Sequence, residues 1–125
     1  LIFVVTNQAG IAKGKISVNS FFKLHKSIKL HLSKKDIYFD NVEYCFFHPN
    51  AKILKYKKKS NYRKPGNLMI KKIFKKWKID KKKSFMLGDK KTDKIAANKS
   101  NLYFEYVSKN FYKQVKKIEK KLNFN

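Results

Sequence analysis

SFMLGDKKTD, residues 84–93, is a short apolar run that stops abruptly at Gly88-Asp89 and turns polar. Ser84 to Leu87 reads as a short buried strand, and a short helix is expected around Asp93 to Asn98. Working outward, Met69, Ile70, Ile73, Phe74 and Trp77 recur at helical spacing upstream of this strand. Downstream, a strand is expected near Leu102 to Val107, and Phe111, Val115, Ile118 and Leu122 mark a last amphipathic helix. Toward the start of the chain the same alternation continues. Leu1 to Val5 is five consecutive apolar residues, the pattern of a strand buried on both faces. Phe21, Leu24, Ile28 and Leu32 predict a helix over about 19 to 33, with Ser17 or Asn19 as its cap, and Val42 to Phe47 reads as a strand. Four strand-helix alternations argue an α/β fold: a parallel sheet with helices on both faces.

The 125 residues, 42% hydrophobic, suffice for one core, so a single domain over residues 1–125 is expected. One cysteine, Cys45, forms no intrachain disulfide and suits a reducing compartment. No apolar run approaches the roughly 18 to 20 residues that cross a bilayer. These features predict a soluble, cytoplasmic monomer with no membrane partner. The net charge of +24 points toward polyanions, yet of 32 basic residues only Arg63 is arginine. Nucleic-acid sites draw on arginine for its bidentate fork. The lysines are also spread through every segment, as on a solvated helix exterior, so a nucleic-acid partner is not expected. The one arginine marks a place that needs a fork.

In parallel sheets ligands collect beyond the carboxyl ends of the strands. After the first strand comes Thr6-Asn7-Gln8-Ala9-Gly10, a polar loop whose hydroxyl, amides and backbone N–H groups could surround an anion, with Gly10 and Gly14 allowing tight turns. Before the second long helix lie two adjacent cations in Arg63-Lys64-Pro65-Gly66. After the third strand, Asp89 stands at the strand tip and Asp93 four residues on. A carboxylate pair there suits Mg²⁺, which takes oxygen ligands and keeps several waters. Asp93 reads equally well as a helix cap.

Taken together, VVTNQAGIAKG, YRKPG and SFMLGDKKTD resemble the second, third and fourth motifs of the haloacid dehalogenase-like (HAD) phosphatases. Within that superfamily they look most like the heptose-bisphosphate and histidinol-phosphate phosphatase branch, over Leu1 to about Leu102. The resemblance implies a Rossmann-like fold and Mg²⁺-dependent hydrolysis of a sugar phosphate monoester. The expected substrate is D-glycero-D-manno-heptose 1,7-bisphosphate, at its 7-phosphate. It assigns Thr6 to the transferring phosphoryl group and Lys64 to charge neutralisation there. Asn7, Gln8, Ala9, Arg63 and Lys90 are placed on substrate, Asp89 on Mg²⁺, and Asp93 in possible support of the metal.

The family's nucleophile and general acid/base form an Asp-x-Asp at the end of a central strand upstream of the Thr6 motif. Here no two aspartates are separated by a single residue. The expectation is a piece of a longer chain, lacking that strand, inactive by itself and marginally stable; a non-catalytic relative is the competing reading. Many heptose bisphosphatases also carry zinc on Cys-x-His and Cys-x-Cys. Cys45, Phe47, Ser60 and Tyr62 stand in those places, with His48 displaced by one, so no zinc is expected. His25 and His31 are expected as surface or packing residues. Two further functions stay open: a polynucleotide 3'-phosphatase, whose relatives share a TNQ-x-GI loop and a zinc-free YRKP, and a basic binding module without catalysis.

Overall fold

The computed structural model of the chain describes residues 1–124. They form two compact units, Leu1–Arg63 and Lys64 onward. Each contains one parallel pair of strands, as the α/β alternation requires.

In the first unit β1 (Phe3–Asn7) leads through a helical turn, α1 (Ala9–Ala12), to α2 (Val18–Ser33) and then β2 (Asn41–Cys45). β1 and β2 pair in register from Phe3 opposite Asn41 to Asn7 opposite Cys45. Ser17 caps α2, its Oγ accepting the backbone N–H of Ser20 at 3.0 Å. The core gathers Ile11, Ala12, Phe21 and Cys45. The Phe21 ring meets Tyr44 and Phe46 edge-on, both at 5.3 Å, while His25 lies against it at 4.3 Å. His25 is therefore a packing residue.

Three expectations change here. The first strand begins at Phe3, leaving Leu1 and Ile2 76% and 51% exposed, and its own residues are half-buried. Among the described residues β1 pairs with one strand, β2. In α2 the expected stripe is rotated. Phe21 and His25 lie on the aromatic cluster, which turns Leu24 and Ile28 to the flank, 59% and 39% exposed. The second strand also ends earlier than expected, at Cys45 rather than Phe47.

The second unit runs α3 (Leu68–Lys76), β3 (Phe85–Gly88), α4 (Lys91–Lys99), β4 (Tyr103–Tyr106) and α5 (Phe111–Lys121). β3 and β4 pair in register from Phe85 opposite Tyr103 to Gly88 opposite Tyr106. Met69, Ile70 and Ile73 of α3 are buried, as their spacing predicts. Ala96 and Ala97 let α4 sit tightly against both strands. In α5 the expected stripe shifts: Phe111 is exposed, and the buried positions are Gln114 and Ile118. The Gln114 amide donates to the Tyr106 carbonyl at 2.8 Å and to Glu105 at 3.0 Å, and it accepts from the Ser108 N–H at 2.9 Å. A fully bonded amide is at ease in a core position that hydrophobic patterning reserves for apolar residues.

Candidate active site

The β1 end places Thr6 and Asn7 opposite Tyr44 and Cys45. The Gln8 amide donates to Thr6 Oγ1 at 2.9 Å, so the threonine hydroxyl keeps its own proton for an acceptor beyond it. The expected open loop is shorter than it looks in sequence, because Ala9 begins α1. Gly10 is needed for close approach: a Cβ there would stand 3.0 Å from Ile16 Cγ1. Gly14 takes the left-handed conformation, φ 70°, where glycine carries no steric penalty.

The segment between β2 and Arg63 is held by rings and backbone bonds. Phe46 and Tyr56 pack edge to face at 5.8 Å, and Lys58 Nζ lies 4.7 Å over the Phe47 ring. His48 N–H donates to the Tyr56 carbonyl at 3.0 Å, and His48 Nδ1 accepts the Asn50 N–H at 3.0 Å. Loss of solvent and the nearby cations Arg63 and Lys13 hold the His48 imidazole below its ordinary pKa, which suits that acceptor role. Burial pushes the Cys45 thiol up, against smaller opposing effects of the Phe47 backbone and Arg63. Arg63 carries a buried Nη1 with no hydrogen-bond partner among the described residues. Such a donor is costly unless an acceptor arrives.

At the β3 end the geometry is the most developed. Lys64 Nζ lies 2.6 Å from Asp93 Oδ1, with side chains 12% and 5% exposed. The other oxygen, Oδ2, accepts the backbone N–H groups of Lys90 at 2.9 Å and Asp89 at 3.2 Å. Asp93 is thus both helix cap and ion-pair partner. Metal support is a poorer fit for it, since both oxygens are already engaged in holding Lys64 and the Gly88–Lys90 turn. Asp89 and Lys90 are exposed at the strand tip. Among the described residues no three His, Cys, Asp or Glu side chains come together as a metal site. Asp89 alone fits the demand of Mg²⁺, which binds one or two carboxylates and completes its octahedron with water and phosphate.

Burial alone would raise the Asp93 carboxyl; the Lys64 ammonium and the two N–H groups outweigh it and hold the acid below its usual range. A depressed carboxyl stabilises the fold above its unfolded pKa, about 3.9, and that contribution is lost as pH falls through the lower folded value. Acid unfolding monitored by circular dichroism is expected to show this loss below about pH 4. Asp93→Asn should flatten that limb.

A HAD-hydrolase-like family model matches residues 61–121. The D-glycero-beta-D-manno-heptose-1,7-bisphosphate 7-phosphatase of Rhodopseudomonas palustris is 32% identical over 101 residues, 81% of this chain and 56% of that protein. That of Haemophilus influenzae is 37% identical over 93 residues, 74% of this chain and 50% of that protein. Residues 61–121 carry the HAD-like pattern, and the chain is similar to HAD-like phosphatases. A crystal structure described as a HAD-like phosphatase from Mesorhizobium loti superposes with a TM-score of 0.74 at 28% identity, covering 80% of this chain and 48% of that one. The D,D-heptose 1,7-bisphosphate phosphatase from B. bronchiseptica, solved with magnesium and phosphate, gives 0.71 at 21% identity, covering 92% and 61%, and bears on the fold alone. This chain spans about half the length of the curated relatives it matches. No helix among its described residues is long and apolar enough to cross a membrane.

Proposed function

We propose that this chain forms the phosphoryl-binding part of a phosphatase acting on D-glycero-D-manno-heptose 1,7-bisphosphate at the 7-phosphate. The observation that carries the reading is Lys64: a nearly buried ammonium, held at 2.6 Å by a carboxylate that also shapes the turn presenting Asp89 and Lys90. Phosphoryl transfer asks chiefly for positioning and for positive charge opposite the equatorial oxygens. Lys64 supplies that charge at a fixed place, and Thr6, its acceptor lone pair taken by Gln8, donates its proton to a phosphoryl oxygen. Arg63 offers its Nη1 to the substrate, and the family resemblance assigns Asn7, Gln8, Ala9 and Lys90 to substrate as well. Asp89 would hold Mg²⁺, which shields the phosphoryl charge when bound. The Asp-x-Asp that the family resemblance implies as nucleophile and general acid/base is absent from these 125 residues and would be supplied by a further part of the protein. One domain built from both parts, acting as a cytoplasmic monomer, completes the proposal.

The second reading, a polynucleotide 3'-phosphatase, draws on the net charge of +24 and on Tyr62 standing where zinc-binding relatives have cysteine. Phosphate release by the protein carrying its Asp-x-Asp decides between them. Heptose bisphosphate is expected to turn over at least tenfold faster than a 3'-phosphorylated oligonucleotide, to vary mildly with salt, and to stop on magnesium chelation. Preference for the oligonucleotide, falling steeply between low and moderate salt, would transfer the assignment to the second reading. Failure on both substrates would end the catalytic one.

A further inference from the structure

We infer that Glu43 and Tyr62 form a positioning pair that holds the Arg63 guanidinium ready for substrate; the inference rests on the phosphatase reading of Arg63. Glu43 lies within β2, 6% exposed. A carboxylate in a strand interior is expensive unless its oxygens find donors. Here each does: Oε1 accepts from the Asn41 amide at 3.0 Å and Oε2 accepts the Tyr62 hydroxyl. An apolar side chain at position 43 would serve the core at less cost, so the acid is best understood by what it holds.

What it holds is the residue next to Arg63. The Ser60 hydroxyl accepts the Tyr62 N–H at 3.1 Å, and the Ser60 carbonyl accepts the Arg63 N–H at 3.1 Å. Residues 60 to 63 are therefore a closed turn, bonded within itself and pinned by one phenol to the sheet. The chain has no other arginine, and this one has a buried, unpartnered Nη1. A guanidinium binds a phosphate through a rigid fork, so its angle matters as well as its charge. Fixing the backbone one residue away is a direct way to fix that angle. The Arg63 charge is felt at Cys45 and His48, at and just beyond the end of the same strand.

Tyr62→Phe removes the hydroxyl and keeps the ring. In the protein with its catalytic carboxylates, this variant is expected to raise KM for the sugar bisphosphate about tenfold while kcat stays within twofold, because a misplaced binding group costs affinity before chemistry. Glu43→Gln, which still accepts the phenol, should raise KM only about threefold. The Arg63 side-chain Nε–H resonance, assigned by its loss in Arg63→Ala, reports the same geometry. Its solvent exchange, measured by NMR without substrate, is expected to quicken at least tenfold in Tyr62→Phe and less in Glu43→Gln. Unchanged exchange and unchanged KM in Tyr62→Phe would overturn the pair. If Arg63→Ala itself leaves KM untouched, the substrate role of Arg63 falls, and the pair falls with it. A KM raised by Arg63→Ala but not by Tyr62→Phe removes the pair alone and leaves the phosphatase reading standing. Should Tyr62→Phe unfold, Glu43→Gln carries the same two readouts, and no change in either would overturn the pair.

Discussion

Replacing Lys64 by alanine is expected to lower phosphate release by the protein carrying its catalytic carboxylates by about a hundred- to a thousandfold, the usual cost of one preorganised charge-stabilising donor. The same change should destabilise the fold, because the buried Asp93 carboxylate keeps its two backbone N–H donors on Oδ2 but loses the cation on Oδ1. Breaking a buried pair from one side costs about 3–5 kcal/mol. The two effects separate by design. Lys64→Ala/Asp93→Ala removes the stranded charge, so urea unfolding should recover part of the stability while activity stays lost. Lys64→Ala with most of its activity would show that the ammonium at 2.6 Å from Asp93 is an internal brace and that the phosphoryl group is held elsewhere. A structural brace and a catalytic cation make opposite demands on that double variant.

The same residues show how far the sequence could be read. The strand ends were legible because each apolar run stops at a polar or glycine-bearing segment, and Thr6, Lys64 and Asp89 follow from their place in such segments together with their resemblance to one family. Helix α3 appeared where side-chain spacing put it, since Met69, Ile70 and Ile73 are buried together, and α4 covers the expected Asp93 to Asn98. Burial on α2 was misjudged for a physical reason: period 3.6 fixes which residues share a face, whereas the aromatic partners Tyr44 and Phe46, distant in sequence, choose which face is covered. The turn α1 was hidden because four residues carry no periodicity. Gln114 and Glu43 were missed because a buried polar residue is readable only through its partners. The one usable signal was Tyr62 in a position where zinc-binding relatives have cysteine. Asp93 was read as cap or metal ligand; its ion pair with Lys64, 29 residues away in the chain, lies outside any local pattern.

Gly88→Ala is the second substitution with a large expected effect, and it acts through the same carboxylate. A Cβ built on Gly88 would lie 2.5 Å from Asp93 Cβ and 2.7 Å from its Cγ and Oδ2, distances no pair of carbons tolerates. The crowding side chain is buried and short, so it has no flexible end to swing aside. Relief must come from moving α4 off β3 or turning the Asp93 carboxylate away from Lys64 and the N–H groups of Asp89 and Lys90. Overpacking costs about 1–3 kcal/mol, and weakening a buried charged pair adds to it, so a total of about 3 kcal/mol or more is expected in denaturant unfolding. Most folds have only about 5–15 kcal/mol to lose. A thermodynamic cycle isolates the cause: with Asp93→Gly already in place, all three colliding atoms are gone, and adding Gly88→Ala should cost about 1 kcal/mol. Equal costs in both backgrounds would mean that the strand end tolerates a methyl group there and that Gly88 serves some need other than room for Asp93. Strong coupling would instead tie the glycine, the acid and the ammonium into one unit, so that the Gly88-Asp89 of the strand tip and the distant Lys64 work only in each other's presence.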